Sequence, residues 1–259
     1  MELLIFLILF PLLMAGLLTL IQGENFRRAA VIGGAVLVGI ASLIILAESI
    51  TTQAVYHSVP VDLISILIFI GDIIISGYII FVSLKARQYL VTGITMLQLI
   101  LLCAVEYLAL LDHARIPELF SDQLSGIMAA IIGVVGGLIC VYALGYMREY
   151  HAEHPDCPDK RPQFFGIMFF FLSAMFGVVF SNNLLWLFFF WEITTLCSYL
   201  LIRYPETDEA IRNAFRALLF NLVGGACIPV AFLVIFLTGG SQLIGLHELI
   251  AAGPGLALI

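Results

Sequence analysis

Charge is scarce in this sequence. Asp, Glu, Lys and Arg make up 11% of its 259 residues, where a soluble domain carries about 25%. The apolar share is 62% and the mean hydropathy is +1.12, which excludes a soluble globular fold. Also missing are a phosphate loop, a nucleotide fingerprint, an internal repeat and a low-complexity tract, so no nucleotide or other cofactor site can be assigned. Four of the five cysteines, Cys103, Cys140, Cys197 and Cys227, fall inside apolar segments and only Cys157 lies in a loop, which rules out a disulfide framework or a paired zinc spacing. The formal net charge of -7 argues against a nucleic-acid partner. The first apolar run lacks a basic n-region and a small-residue cleavage site, so it reads as a retained helix rather than a signal peptide.

What is present is apolar length. Runs long enough for about 20 helical residues occur at Leu3–Ile21, Ala29–Ala47, Leu63–Leu84, Tyr89–Leu111, Leu124–Tyr146, Phe164–Phe180, Leu184–Ile202 and Ala210–Leu237. The expected fold class is all-α, a polytopic transmembrane bundle of about eight helices with no room for a soluble catalytic domain. Residues 1–111 hold four helices, residues 112–240 hold four more, and residues 241–259 form a short Gly- and Pro-containing tail in which Leu246–Ala252 could be an interfacial helix. The chain stops at Ile259 as an interrupted design would. Alternating sides from helix to helix puts ten of the eleven basic residues on one side, with only Arg115 on the other. That bias matches the positive-inside rule and places both termini outside the cytoplasm, in a multi-pass protein of the cell membrane.

Against this background a few polar residues stand out. Glu192 lies halfway along the run from Leu184 to Ile202. An ionisable group at the bilayer centre costs roughly 2.5–3.5 kcal/mol on insertion scales, so it marks a proton or ion path. Its candidate partner is Arg216. At 1.5 Å per residue Glu192 stands about 15 Å and Arg216 about 10 Å above the cytoplasmic helix ends, an offset that a guanidinium side chain can bridge. Such a pair would hold the carboxylate ionised; a purely architectural ion pair is the alternative. Asp72 and Gln98, near the middles of helices three and four, are placed to hydrogen-bond to each other, as a second proton station or as polar glue between helices. Glu106 reads as a side chain that snorkels to the interface. Asn221 could line a hydrated path, and Asn213 satisfies neighbouring polar groups. Gly224-Gly225 and Pro229 can loosen a helix, through a packing bend or a gate. His151, His154 and Cys157 have a metal-like spacing but lack a fourth ligand, so a solvated loop touching a partner protein is the better reading.

The stretches Asp122-Gln123-Leu124-Ser125-Gly126-Ile127-Met128, Tyr142 to Met147, Ser181-Asn182-Asn183-Leu184 and Trp191-Glu192 through Ile202 resemble the antiporter-like membrane subunits. These occur in respiratory complex I, in energy-converting membrane-bound hydrogenases and in Mrp-type cation/proton antiporters. The resemblance covers roughly residues 112–250. It implies that Glu192 matches the family's essential glutamate, that Arg216 stands where relatives usually have lysine, and that residues 63–111 are an extra helix pair. It also implies a proton- or sodium-translocating subunit, non-catalytic itself and a split half, of a redox-driven pump such as an energy-converting hydrogenase or an NADH dehydrogenase-like complex. The alternatives are a component of a Mrp-type antiporter or a structural assembly module. Expected partners are the lipid bilayer, membrane subunits supplying the missing half of the path, including a lysine that takes the proton from Glu192, and peripheral redox subunits carrying the iron-sulfur, nickel or flavin centres. The Asn221 to Gly225 segment lacks the Arg and Asp that the large complex I subunit tends to show there, which tilts the resemblance toward the hydrogenase and Mrp branches.

Overall fold

A computed structural model describes residues 1–20, 23–51, 54–57, 61–112, 117–155, 157–239 and 245–252. The helices are α1 (Glu2–Leu20), α2 (Glu24–Thr51), α3 (Val61–Lys85), α4 (Tyr89–Asp112), α5 (Gln123–Ile131), α6 (Gly137–Glu153), α7 (Arg161–Phe180), α8 (Leu184–Ile202), α9 (Asp208–Gly239) and α10 (Leu246–Ala252). Two short strands, β1 (Val55–His57) and β2 (Leu119–Ser121), pair in a two-stranded sheet. A five-residue π-turn, Ile132–Gly136, joins α5 to α6 into one continuous span. Among the described residues eight helical spans are long and apolar enough to cross a membrane, so the protein is all-α and polytopic, as the apolar runs predict.

The chain forms two compact units. Unit one comprises residues Met1–Val55, Ser121–Phe180 and Cys197–Ala214; unit two comprises Tyr56–Phe120, Ser181–Leu196 and Phe215–Ile259. The division falls inside α8 and inside α9.

Unit one is held by small residues. Along α2, Ala35, Ser42 and Ser49 recur every seven residues and face Gly137, Gly133 and Gly126 in the reverse order. A seven-residue repeat keeps one seam pointed at a partner helix, and glycine across the seam lets the backbones approach closely. The approach is tight: a methyl group on Gly133 would sit 2.6 Å from Ser42 Cβ and 3.1 Å from the Val38 carbonyl oxygen. The serines cost little here, because Ser42 donates to the Gly39 carbonyl at 2.8 Å and Ser49 to the Leu46 carbonyl at 2.9 Å. Behind the seam, α1 packs on α7 around Met14, Leu18, Phe165, Phe169 and Leu172.

Unit two begins with the α3–α4 hairpin. Its turn is a Schellman motif: Arg87 takes a positive φ of 57°, Gln88 N–H donates to the Ser83 carbonyl at 2.8 Å and Arg87 N–H to the Leu84 carbonyl at 3.0 Å, which satisfies carbonyls that the end of α3 would orphan. Ser83 and Thr92 close the hairpin with a hydroxyl–hydroxyl bond of 2.7 Å. At the opposite end Asn182 acts as a staple. Its N–H donates to the Glu118 carbonyl at 2.8 Å, its side-chain amide donates to the Pro117 carbonyl at 2.8 Å, and its own carbonyl accepts from Leu246 N–H at 2.8 Å. Asn183 then caps α8 by accepting from Leu185 N–H at 2.9 Å, the usual remedy for an unsatisfied first turn. These bonds fix where α8 starts, and so fix the depth of Glu192 eight residues later.

Candidate functional site

The site lies within unit two and is built from α3, α4, α8 and α9. Glu192 on α8 is buried, at 1% exposure, and so are Asp72 on α3 and Gln98 on α4, at 2% each. Helical register explains the coincidence. On α3 the buried positions Ile68, Asp72, Ile75, Ser76 and Ile79 share one face; on α4 Val91, Thr95, Gln98, Leu102 and Val105 do the same, each following the three-to-four residue spacing of a single helical stripe. The polar residues are therefore inside because they occupy the stripe that buries the apolar ones.

What sets these side chains apart is that their polar atoms are unmatched. Both carboxylate oxygens of Glu192, Oδ1 of Asp72 and Oε1 of Gln98 are buried without a hydrogen-bond partner among the described residues. A polar atom left this way costs about 1–3 kcal/mol. The cluster is tied together at Gly225 on α9: a methyl group there would lie 3.3 Å from Glu192 Oε1 and 3.4 Å from Gln98 Oε1. Two acceptors thus converge on one point. Gln98 is the neighbour in position to hydrogen-bond with Glu192; its NH2 can donate to an ionised carboxylate, and its Oε1 can accept from a protonated one after the amide rotates by half a turn. Gln98 can therefore serve both protonation states.

Gly71, one residue before Asp72, lets α8 come close to α3. A methyl group at Gly71 would sit 2.6 Å from the Phe189 ring. Trp186 also reaches α3, its indole N–H donating to Ser65 Oγ at 3.3 Å. The Asp72 carboxylate lies within electrostatic range of both Glu192 and Glu106, while Glu106 itself is half-buried on α4. None of the three carboxylates forms an ion pair among the described residues.

Two expectations are corrected. Arg216 does not pair with Glu192: it is exposed and the carboxylate is unbonded. The reason is register, because Arg216 precedes Gly225 by nine residues, which at 1.5 Å and about 100° per residue is about 13.5 Å along the axis and half a turn out of phase. Asp72 and Gln98 do not bond to each other either, since Gln98 is turned toward α8 and α9. Asn221, four residues before Gly225, is on the same side of α9 as the cluster and half-buried, and Asn213 is exposed. The Gly224-Gly225 and Pro229 positions lie within an α9 that runs without interruption from Asp208 to Gly239. Gly225 and Gly71 carry roles that sequence reading missed; the place of Gly71 beside Asp72 was an available signal, whereas Gly225 has no carboxylate near it in the sequence.

The charged loops are elsewhere, in unit one. Arg161 holds Asp159 with bonds of 2.9 and 2.7 Å, which keeps the Asp159 carboxyl down at about 2. Lys160 pairs with Glu206 at 2.5 Å and lowers it. His151 bonds Tyr204 at 2.8 Å and His154 stacks on Tyr150. Among the described residues no group of three or more His, Cys, Asp or Glu side chains is placed to hold a metal ion.

Family matches to known proteins cover α8 and α9 but not α3 or α4. Residues 181–255 match the family described as NADH:quinone oxidoreductase/Mrp antiporter, transmembrane, and residues 118–156 match the NADH-ubiquinone oxidoreductase (complex I) chain 5 N-terminus. The A1 component of a Na(+)/H(+) antiporter from Staphylococcus haemolyticus is 34% identical over 135 residues, 52% of this chain and 16% of the relative. A probable K(+)/H(+) antiporter component of Rhizobium meliloti is 34% identical over 147 residues, 53% and 13% of the two chains. The chloroplastic NAD(P)H-quinone oxidoreductase subunit 5 of Lepidium virginicum is 34% identical over 132 residues, 50% and 17%. The chain thus spans less than a fifth of the length of these relatives. Over the matched residues, which include Glu192, it is similar to the membrane segments that these complex I and Mrp antiporter families describe.

Proposed function

We propose that this chain is a proton-translocating membrane subunit of a complex I-like or Mrp-type assembly, with Glu192 as the group that carries the proton. The observation behind this reading is the Glu192 carboxylate itself, 1% exposed at mid-span with both oxygens unpaired among the described residues. A buried carboxylate fixed by a cation has one comfortable state. An unpaired one next to a rotatable amide has two, and a carrier must alternate between them. Half-buried Asn221, about one helical turn from Gly225 on the same side of α9, lines the approach to Glu192, and Asp72 is the second station. Arg216, turned the opposite way, meets a neighbouring membrane subunit. In this reading the protein sits in the cell membrane with both termini outside the cytoplasm, beside further membrane subunits and, in the redox-driven form, peripheral iron-sulfur subunits.

The experiment is Glu192→Gln in membrane vesicles that hold the intact complex, with proton movement followed by a pH-sensitive dye. Loss of about 10²-fold or more is expected for a group that transfers the proton itself, with the subunits still co-purifying; a wild-type rate overturns the reading. A second reading, a cation/proton antiporter without redox partners, is favoured by the similarity to a component of a Na(+)/H(+) antiporter. It is separated from the first by whether proton movement follows a sodium pulse or a redox substrate.

A further inference from the structure

The α3–α4 hairpin does more than cover Glu192. We infer that it gives this chain its own proton outlet, from Glu192 through Asp72 to Glu106, opening at the end of unit two where α4 finishes and α8 starts. The inference rests on the carrier reading of Glu192 and extends it to a route and an exit.

Asp72 is as buried as Glu192, and its Oδ1, like both Glu192 oxygens, lacks a hydrogen-bond partner among the described residues. Gly71 lets the Phe189 ring rest against α3, so α3 and α8 approach closely at the level of the two carboxylates. Asp72 is the middle member, since the Ser83–Thr92 bond sets an antiparallel register that puts it level with about residue 103 of α4, between Gln98 and Glu106, and its carboxylate is within electrostatic range of both Glu192 and Glu106. Glu106 follows Gln98 by eight residues along α4, about 12 Å further along the axis. Exposure rises in the same order, from 1% at Glu192 and 2% at Asp72 to a half-buried Glu106. The end toward which the series points is defined by Asn182, whose N–H bonds to the Glu118 carbonyl and so holds the start of α8 beside the segment that follows α4.

Among the described side chains of unit two, the buried or half-buried carboxylates are Asp72 from α3, Glu106 from α4, Glu192 from α8 and Glu118 in the segment after α4, at the end the series points to; α9 brings Gly225 and half-buried Asn221, neither of which titrates. With no cation paired to Asp72, Glu106 or Glu192 among the described residues, these three carboxylates depend on protons for neutrality. A bound metal ion would need several oxygens converging on one point, and no group of three or more acidic side chains does so among the described residues. A line of carboxylates suits a hopping proton. In each step the O–H bond of one carboxylic acid breaks and an O–H bond forms on the next carboxylate, directly or across one water molecule: Glu192 to Asp72, Asp72 to Glu106, then Glu106 to bulk water. Charge is conserved at every step, and the emptied Glu192 reloads from the Asn221 side. The outlet is thus built from residues of this chain, where the family resemblance alone would place the proton acceptor in another polypeptide.

The test uses the intact complex in inverted vesicles, energised with NADH or with a sodium chloride pulse, and compares Asp72→Asn, Asp72→Glu, Glu106→Gln and Glu192→Gln. Asp72→Asn is expected to lose proton transfer as severely as Glu192→Gln, about 10²-fold, and Asp72→Glu to recover most of it. Glu106→Gln is expected to lose proton transfer as well, by less than Asp72→Asn, and to be rescued by small permeant weak acids such as formic acid, a response that lost packing would not give. Wild-type rates in Asp72→Asn and Glu106→Gln beside an inactive Glu192→Gln overturn the outlet and leave the carrier reading standing. A wild-type rate in Glu192→Gln overturns the carrier reading itself. If Asp72→Asn fails to assemble, an assembled but inactive Asp72→Glu, or a Glu106→Gln that formic acid does not rescue, overturns the outlet.

Discussion

In unit one the buried hydroxyls of Ser42 and Ser49 bond to carbonyls of their own helix at 2.8 and 2.9 Å, and the glycines opposite them serve only to bring backbones together. In unit two the glycines make room for side chains, Gly71 for the Phe189 ring and Gly225 for the ends of Glu192 and Gln98, beside carboxylate and amide oxygens that have no hydrogen-bond partner within 3.5 Å among the described residues. Glycine makes the room in both units, but the polar chemistry beside it is settled in one and unsettled in the other. Arg27 Nε in unit one also lacks a hydrogen bond, yet Glu24 and Asp159 lie in its electrostatic range. Unsatisfied polar atoms are expensive in a protein interior, so their concentration in unit two is where work other than folding is to be sought.

The largest expected effects come from adding bulk at the two kinds of glycine. Gly133→Leu drives a side chain into Ser42 and the Val38 carbonyl, where overpacking costs about 1–3 kcal/mol or more. The expected result is loss of the folded subunit from solubilised membranes, seen as a fall in its yield on size-exclusion chromatography. Gly225→Ala meets only the flexible ends of Glu192 and Gln98, at 3.3 and 3.4 Å. It is expected to keep the fold and to slow proton transfer by blocking rotation of the Gln98 amide. If Gly133→Leu stays folded while Gly225→Ala does not, the contrast between a packing seam and a working site is wrong.

A smaller effect, of opposite sign, is expected from neutralising the cluster. Glu192→Gln removes a buried carboxylate that lacks a partner, so the variant is expected to be more heat-stable than the parent by up to about 1–3 kcal/mol while losing transport. Gains in stability at the expense of activity are a common mark of functional positions. A thermal melt of the detergent-solubilised chain reads the sign directly, and a lower midpoint would mean that Glu192 is structural. Ser42→Ala provides the counterpart in unit one: its hydroxyl serves only its own helix, so a change within about 0.5 kcal/mol is expected.

Much of this was legible in the residues. Eight apolar runs became eight helical spans, because a span of about 20 apolar residues has few other ways to satisfy its backbone in a membrane. Glu192, Asp72 and Gln98 declared themselves as polar residues in the middle of such runs. Their partners did not, since choosing between Arg216 and Gln98 as the neighbour of Glu192 depends on how the helices are rotated and shifted against each other, which apolar run boundaries do not give. Arg216 is about 13.5 Å along α9 from Gly225, at 1.5 Å per residue, and on the opposite face. The α2 seam was written in the seven-residue spacing of Ala35, Ser42 and Ser49, but only alongside the reversed series Gly126, Gly133 and Gly137 does that spacing differ from ordinary small residues. The π-turn at Ile132–Gly136 has no comparable signature, since Gly133, Gly136 and Gly137 suit a close helix contact equally well.

The smallest effect belongs to the charged loops of unit one, where polar groups are paired and solvated. Arg161 bonds Asp159 through two nitrogens and holds its carboxyl at about 2, below the value of about 3.9 for a free aspartate. A carboxyl lowered in the folded state contributes stability in full above the unfolded value and loses it as the pH falls through the folded one. The contribution should therefore be intact at neutral pH, begin to fade below about pH 4, and be gone once the pH has passed about 2. Because the Asp159 side chain is half-exposed, solvent screening limits its size to about 0–1 kcal/mol. Asp159→Asn should accordingly melt slightly below the parent at pH 7 and converge on it as the medium is acidified. A gap between the two that stays constant with pH would show that the loop is held by packing around Tyr204 and Phe164, and that its ion pair is incidental.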